Sequence, residues 1–183
     1  LNGACGPTKN QGPPPCGAST PLPIHTGTGN KYGRAVDYRI NGVSGLNSSR
    51  HYNSQNSATL STLGTAWRHS YDSSITTSLV VKGVSAALMA RSNGTSYSFA
   101  ANGTRFTAQD ADQTDTLVRL TGSSGNLSGY RYTVAADDSI ETYNAVGKLI
   151  SIQERSGLLQ TLTYSDTSTP PAIALKAGLL IQV

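Results

Sequence analysis

The chain has 183 residues, 37% of them hydrophobic and 13% charged, with a net charge of +4. That length suits one domain with a real core, and the balance excludes a charge-rich disordered tail. The basic residues are scattered and no apolar stretch is long enough to span a bilayer, so neither a nucleic-acid partner nor a membrane span is expected.

The chain opens at Leu1 with no basic and apolar leader before it, which reads as a processed or cut chain. Residues 1–23 form a Gly/Pro-rich arm. It holds Cys5 and Cys16, the two cysteines of the sequence. No further cysteine and no clustered histidine completes a zinc site. A small loop-closing disulfide between them is expected, and with it an oxidising, secreted or cell-surface setting.

All prolines lie at positions 7 to 23 or at 170 and 171. Proline is excluded from paired strands, so the stretch between reads as one continuous β-rich body. Val36, Tyr38 and Ile40 alternate with Asp37 and Arg39, the pattern of a half-buried strand. Tyr71, Ile75, Leu79 and Val81 recur at even offsets. After Gly83 the phase shifts, and Val84, Ala86, Leu88 and Ala90 resume the spacing. The β-branched Val80, Val81 and Val84, with Gly83, argue against a helix there.

Asn93-Gly94 and Asn102-Gly103 each predict a hairpin turn, with Tyr97, Phe99 and Phe106 in the strands between and beyond. Further strands are expected at 116–120, 129–134, 139–143 and 158–164, with a turn at 135–138. The fold class is therefore all-β, an antiparallel meander of hairpins.

Tyr143-Asn144-Ala145-Val146-Gly147-Lys148-Leu149 is followed by Gly157 and, after a second strand, by Tyr164-Ser165-Asp166. This is one hairpin per repeat, too small to bury its apolar face without stacked neighbours. It resembles the YD repeat of the Rhs family, Tyr-Asp-x-x-Gly-Arg-Leu, with Asn144 for the Asp and Lys148 for the Arg. Thr26-Gly27-Thr28-Gly29-Asn30-Lys31-Tyr32 resembles the opening of the domain of unknown function that precedes Rhs repeats. Arg50-His51-Tyr52-Asn53-Ser54 resembles one of its strands. Leu63-Gly64-Thr65-Ala66-Trp67-Arg68-His69-Ser70-Tyr71-Asp72 resembles its Trp-x-His-Ser-Tyr-Asp signature, with Ala66 where the family has a glycine, a minor departure.

The resemblance implies three parts: the arm over 1–23, an Rhs N-terminal β module over 24–134, and a repeat hairpin with a terminal strand over 135–183. It implies a non-catalytic extracellular module, the opening of a β-sheet shell that encloses a toxin or stands at a cell surface. No self-cleaving segment and no toxin domain is present in this chain. The alternative is a self-assembling fibre or adhesin subunit; a carbohydrate-binding domain or an enzyme comes third.

Candidate sites have bland readings beside them. His25, His51 and His69 are far apart in sequence, and no serine or cysteine sits in a nucleophile elbow. Trp67, His69 and Tyr71 are expected to share a strand face and pack in the core. Asp110, Asp112 and Asp115 could chelate calcium but read as a solvated loop. Tyr38, Tyr71, Tyr143 and Tyr164 read as core rather than as a sugar platform. The sequons at Asn47, Asn93, Asn102 and Asn126 are expected to stay unmodified. No cofactor, metal or small-molecule substrate is expected. Leu175, Leu179, Leu180, Ile181 and Val183 form a candidate assembly strand. Its expected partners are other copies of the chain or the remainder of a longer Rhs chain.

Overall fold

A computed structural model describes residues 11–14, 24–40, 46–56, 60–81 and 84–183. Cys5, Cys16 and the phase shift at Gly83 lie outside the described residues. The elements are β1 (Tyr32–Arg39), β2 (Asn47–Asn53), β3 (Leu60–Ser61), β4 (Gly64–Thr65), β5 (Trp67–His69), β6 (Ser74–Val81), β7 (Val84–Ala90) and β8 (Ser96–Asn102). They continue with β9 (Arg105–Ala108), β10 (Thr116–Thr121), β11 (Leu127–Val134), β12 (Ser139–Asn144), β13 (Leu149–Gln153), β14 (Leu159–Thr161), β15 (Thr163–Tyr164) and β16 (Leu180–Gln182). The fold is all-β, with no helix among the described residues.

Strands β6 to β14 form a nine-stranded sheet whose spatial order is the chain order. Strands β1, β2 and β5 form a three-stranded antiparallel sheet, and β3–β4 and β15–β16 are small separate pairs. The chain divides into two compact units: Leu1–Ser74 with Leu88–Ser98, and Ile75–Ala87 with Phe99–Val183.

Four of the hairpins share one device. In Arg91–Thr95, Gly122–Asn126, Asn144–Lys148 and Glu154–Leu158 the first residue's N–H donates to the fifth residue's carbonyl, and its own carbonyl accepts from the fourth residue's N–H. The fourth residue is Gly94, Gly125, Gly147 or Gly157, each with φ between 77 and 95°. This is a tight turn closed by a left-handed glycine, which turns the chain without splaying the strands. Asn102-Gly103 is different: Asn102 pairs directly with Arg105, leaving a two-residue loop of Gly103 and Thr104. Asn93-Gly94 and Asn102-Gly103 both make hairpin turns as expected, by two geometries.

In the second unit the core is apolar and aromatic. Phe99, Tyr132, Tyr143, Leu117 and Leu149 are each 0–1% exposed, and the Phe99 and Tyr132 rings meet edge to face at 6.1 Å. The sheet curls within this unit: the Thr77 and Tyr130 hydroxyls lie 3.1 Å apart, joining β6 to β11.

Several expectations are corrected. Val36 and Tyr38 are 55% and 50% exposed. They lie at the outer end of β1, an edge strand, on either side of a register shift. The alternation there marks a strand but not a buried face. In β7 the deepest residues are Ala87 and Met89, not Leu88 and Ala90 of the even-spaced set, although Ala86 is buried as well. The strand expected over 158–164 is broken at Leu162, which is buried and bonds Ile150 before the chain departs into β15.

Candidate functional site

The motif residues near the start converge on an amide cluster in the first unit. Asn30 and Asn53 are fully buried. Asn53 Oδ1 accepts from the Gly12 N–H at 2.7 Å and from Asn30 Nδ2 at 3.0 Å. Asn53 Nδ2 donates to the Asn93 carbonyl at 2.8 Å, and the Gln55 N–H donates to Asn30 Oδ1 at 3.2 Å. Two side chains thus tie the arm residue Gly12, the turn before β1, the end of β2 and the β7–β8 turn. A buried amide is tolerated only when its groups are paired in this way.

The polar character continues along β2. Ser49, His51 and Asn53 alternate inward. His51 Nδ1 meets the Tyr32 hydroxyl at 2.8 Å. Burial, then the charge of Arg34, holds the His51 imidazole below its ordinary pKa. On β5 the buried residue is Arg68, while Trp67 and His69 are half-buried. This corrects the expected shared core face. Trp67 packs against Tyr52 with tilted rings 5.2 Å apart, under the Arg50 guanidinium at 5.7 Å. His69 Nδ1 accepts from the Tyr71 N–H at 3.2 Å, and burial lowers its pKa against the pull of Asp72. Tyr71 is buried, beyond the end of the strand. Arg68 donates to the carbonyls of Asp72 and Arg91.

Gly29 is left-handed at φ 70°. Ala66, where the resembling family has glycine, is also left-handed at φ 68°, and its carbonyl accepts from the Asn53 N–H. That replacement is a strained one, not a minor one.

The repeat residues are brought together in the second unit, each with a distinct part. Tyr143 is buried and its hydroxyl donates to Glu141 at 2.5 Å. Asn144 Oδ1 accepts from the N–H groups of Val146 and Lys148, the turn bond that an Asp would also make. Gly147 lies against β6: a Cβ there would stand 1.8 Å from the Ile75 carbonyl oxygen. The Ile75 N–H donates to the Gly147 carbonyl at 2.8 Å. Lys148 Nζ sits 3.6 Å over the Tyr164 ring and donates to the Gly178 carbonyl. Leu149 is buried, and its carbonyl accepts from the Tyr164 hydroxyl. Tyr164 itself is half-buried rather than core.

The tail is strand only at its end. β16 pairs with β15 of the same chain, and Ser165 anchors the approach through bonds with Lys176, Gly178 and Leu179. Leu175 is 91% exposed, Ile181 38% and Val183 37%; Leu179 and Leu180 are half-buried.

Asp115 is occupied by protein groups. It accepts from the Tyr132 hydroxyl, from Gln113 Nε2 and from the Ala135 N–H. Among the described residues no group of three His, Cys, Asp or Glu is placed to hold a metal. An open hollow of about 720 Å³ lies where β9 and β10 diverge, bordered by Arg105, Phe106, Gln113 and Leu117. No helix among the described residues is long and apolar enough to cross a membrane.

A family model described as a domain of unknown function, DUF6531, matches residues 22–99. That stretch contains Asn30, Asn53 and Asn93, so the cluster's amide side chains lie inside the matched region, while their partner Gly12 lies outside it. No curated protein matches the chain. The motifs single out Asn30, Trp67 and His69, while the burial of Ser49 and Arg68 is hidden in the sequence by their polarity.

Proposed function

We propose that the chain is a non-catalytic, extracellular structural module, the opening part of a β-sheet shell of the Rhs/YD-repeat kind. The observation that carries this is the repeat hairpin. Its tyrosine and leucine are core, its turn admits only glycine because a neighbouring strand backbone lies on it, and its lysine fastens the next segment. A unit built this way makes sense as one element of a stacked series. The histidines support a structural reading, since His51 is bonded to Tyr32 and His69 to the Tyr71 backbone. The extracellular setting rests on the expected Cys5–Cys16 pair.

Reading the gene beyond codon 183 tests the proposal. Further aromatic, turn, glycine, basic and leucine repeats are expected. An unrelated catalytic domain, with no repeat between, would overturn it.

A second reading, a fibre or adhesin subunit, draws on the exposed Leu159, Ile173, Leu175, Ile181 and Val183 near the last strands. Light scattering on the full chain and on a chain lacking 172–183 separates the two. Assembly lost on truncation favours the fibre; two well-folded monomers exclude it.

A further inference from the structure

The chain contains the tripeptide Asn-Gly-Thr twice, at Asn93-Gly94-Thr95 and at Asn102-Gly103-Thr104. Asn-Gly is the sequence in which the following backbone nitrogen most easily reaches the side-chain amide, because glycine puts no Cβ in the way. Identical local sequences make the fold the variable that separates them.

At the first site both reacting partners are held. The Gly94 N–H donates to the Arg91 carbonyl at 3.0 Å. Asn93 Oδ1 accepts from the Thr95 N–H at 2.9 Å and from the Thr95 hydroxyl at 2.7 Å. The Asn93 carbonyl is bound by Asn53, and Gly94 is buried. At the second site neither partner is held. Asn102, Gly103 and Thr104 are all exposed. Among the described residues no hydrogen bond engages the Asn102 side chain or the Gly103 N–H.

We infer that Asn102 is a self-modification site, where the chain converts its own amide into a carboxylate while Asn93 stays intact. The deprotonated Gly103 nitrogen adds to Asn102 Cγ, the side-chain nitrogen leaves as ammonia, and a cyclic imide results. Water opens the imide at either carbonyl, giving Asp or iso-Asp at position 102. The sum is amide plus water to acid plus ammonia, with no oxidant or reductant. The product places a new negative charge on the residue paired across the hairpin with Arg105. In the iso form it also adds a backbone carbon to a two-residue loop.

The test uses the full chain in mildly alkaline buffer at physiological temperature, folded and in urea, followed by peptide mapping. In urea the two sites should convert alike. In the folded chain the bonds at Asn93 must break first, so Asn102 should convert about a hundredfold faster. Equal rates in the folded chain would overturn the inference. So would an Asn102 that keeps its amide while the urea sample reacts.

Discussion

The two units hold themselves together by different chemistry. The first has a polar interior, in which Asn30, Ser49, His51, Asn53 and Arg68 are all buried. The second is built on Phe99, Tyr130, Tyr132, Tyr143, Leu117 and Leu149. An apolar core tolerates small adjustments, since each contact is weak and non-directional. A buried hydrogen-bond network does not, because one missing partner strands several groups at once. Damage should therefore act on geometry in the second unit and on single atoms in the first.

The largest effect is expected at Gly147, where Ala would bring a Cβ to 1.8 Å from the Ile75 oxygen at φ 79°. The cost should exceed about 4 kcal/mol, enough to unfold the second unit in a urea titration. Gly157→Ala is the control, because its turn is the same and its surroundings are open. It should cost only about 1–2 kcal/mol.

Asn53→Ala comes next. It would leave the Gly12 N–H, Asn30 Nδ2 and the Asn93 carbonyl without this partner. A loss of about 3 kcal/mol is expected, with faster hydrogen exchange at the β7–β8 turn. Equal exchange in wild type and variant would show that the amide cluster is ornamental.

Trp67→Ala should cost about 1–2 kcal/mol by thermal unfolding, since the half-buried ring loses its contact with Tyr52 but opens no deep cavity. A fully buried ring would have cost more. Ala66→Gly should raise stability by about 0.5–1 kcal/mol, because glycine removes the left-handed strain at φ 68°. No gain would mean that the strain is relieved elsewhere.

Acid should separate the units. His51 and His69 are both held below the ordinary value of 6.5, chiefly by burial. As pH falls through that value the unfolded chain takes up protons that the folded first unit refuses. Stability is thus full above it and declines below it, until the folded histidines also protonate. All three histidines lie within Leu1–Ser74. Hydrogen exchange against pH should therefore show protection lost first there. His51→Gln should lessen the loss.

The sequence made the second unit legible and the first largely illegible. Alternation and Asn-Gly pairs located β8 to β12 because buried residues there are apolar and turns carry their own chemistry. The same logic is silent on β2, where Ser49, His51 and Asn53 alternate as an exposed face would but point inward. Nothing local reveals that their partners come from Gly12, Tyr32 and Arg34. Arg68 is hidden for the same reason, and Trp67 reads as core because size usually implies burial. The repeat residues were found by motif. What each does, such as Gly147 seating on β6, depends on the sheet's curl, which no single strand encodes.

The agreement between spatial and chain order in the nine-stranded sheet bears on how the protein is made. Each strand after the first pairs with the one synthesised just before it. Contacts are therefore short in sequence, and the entropy of closing long loops is avoided at nearly every step. Such a sheet can zip up from one end as the chain is synthesised. Each finished edge is then the template for the next hairpin, and the long closures, Tyr130 onto Thr77 and Gly147 onto Ile75, come only after the strands between them are in place.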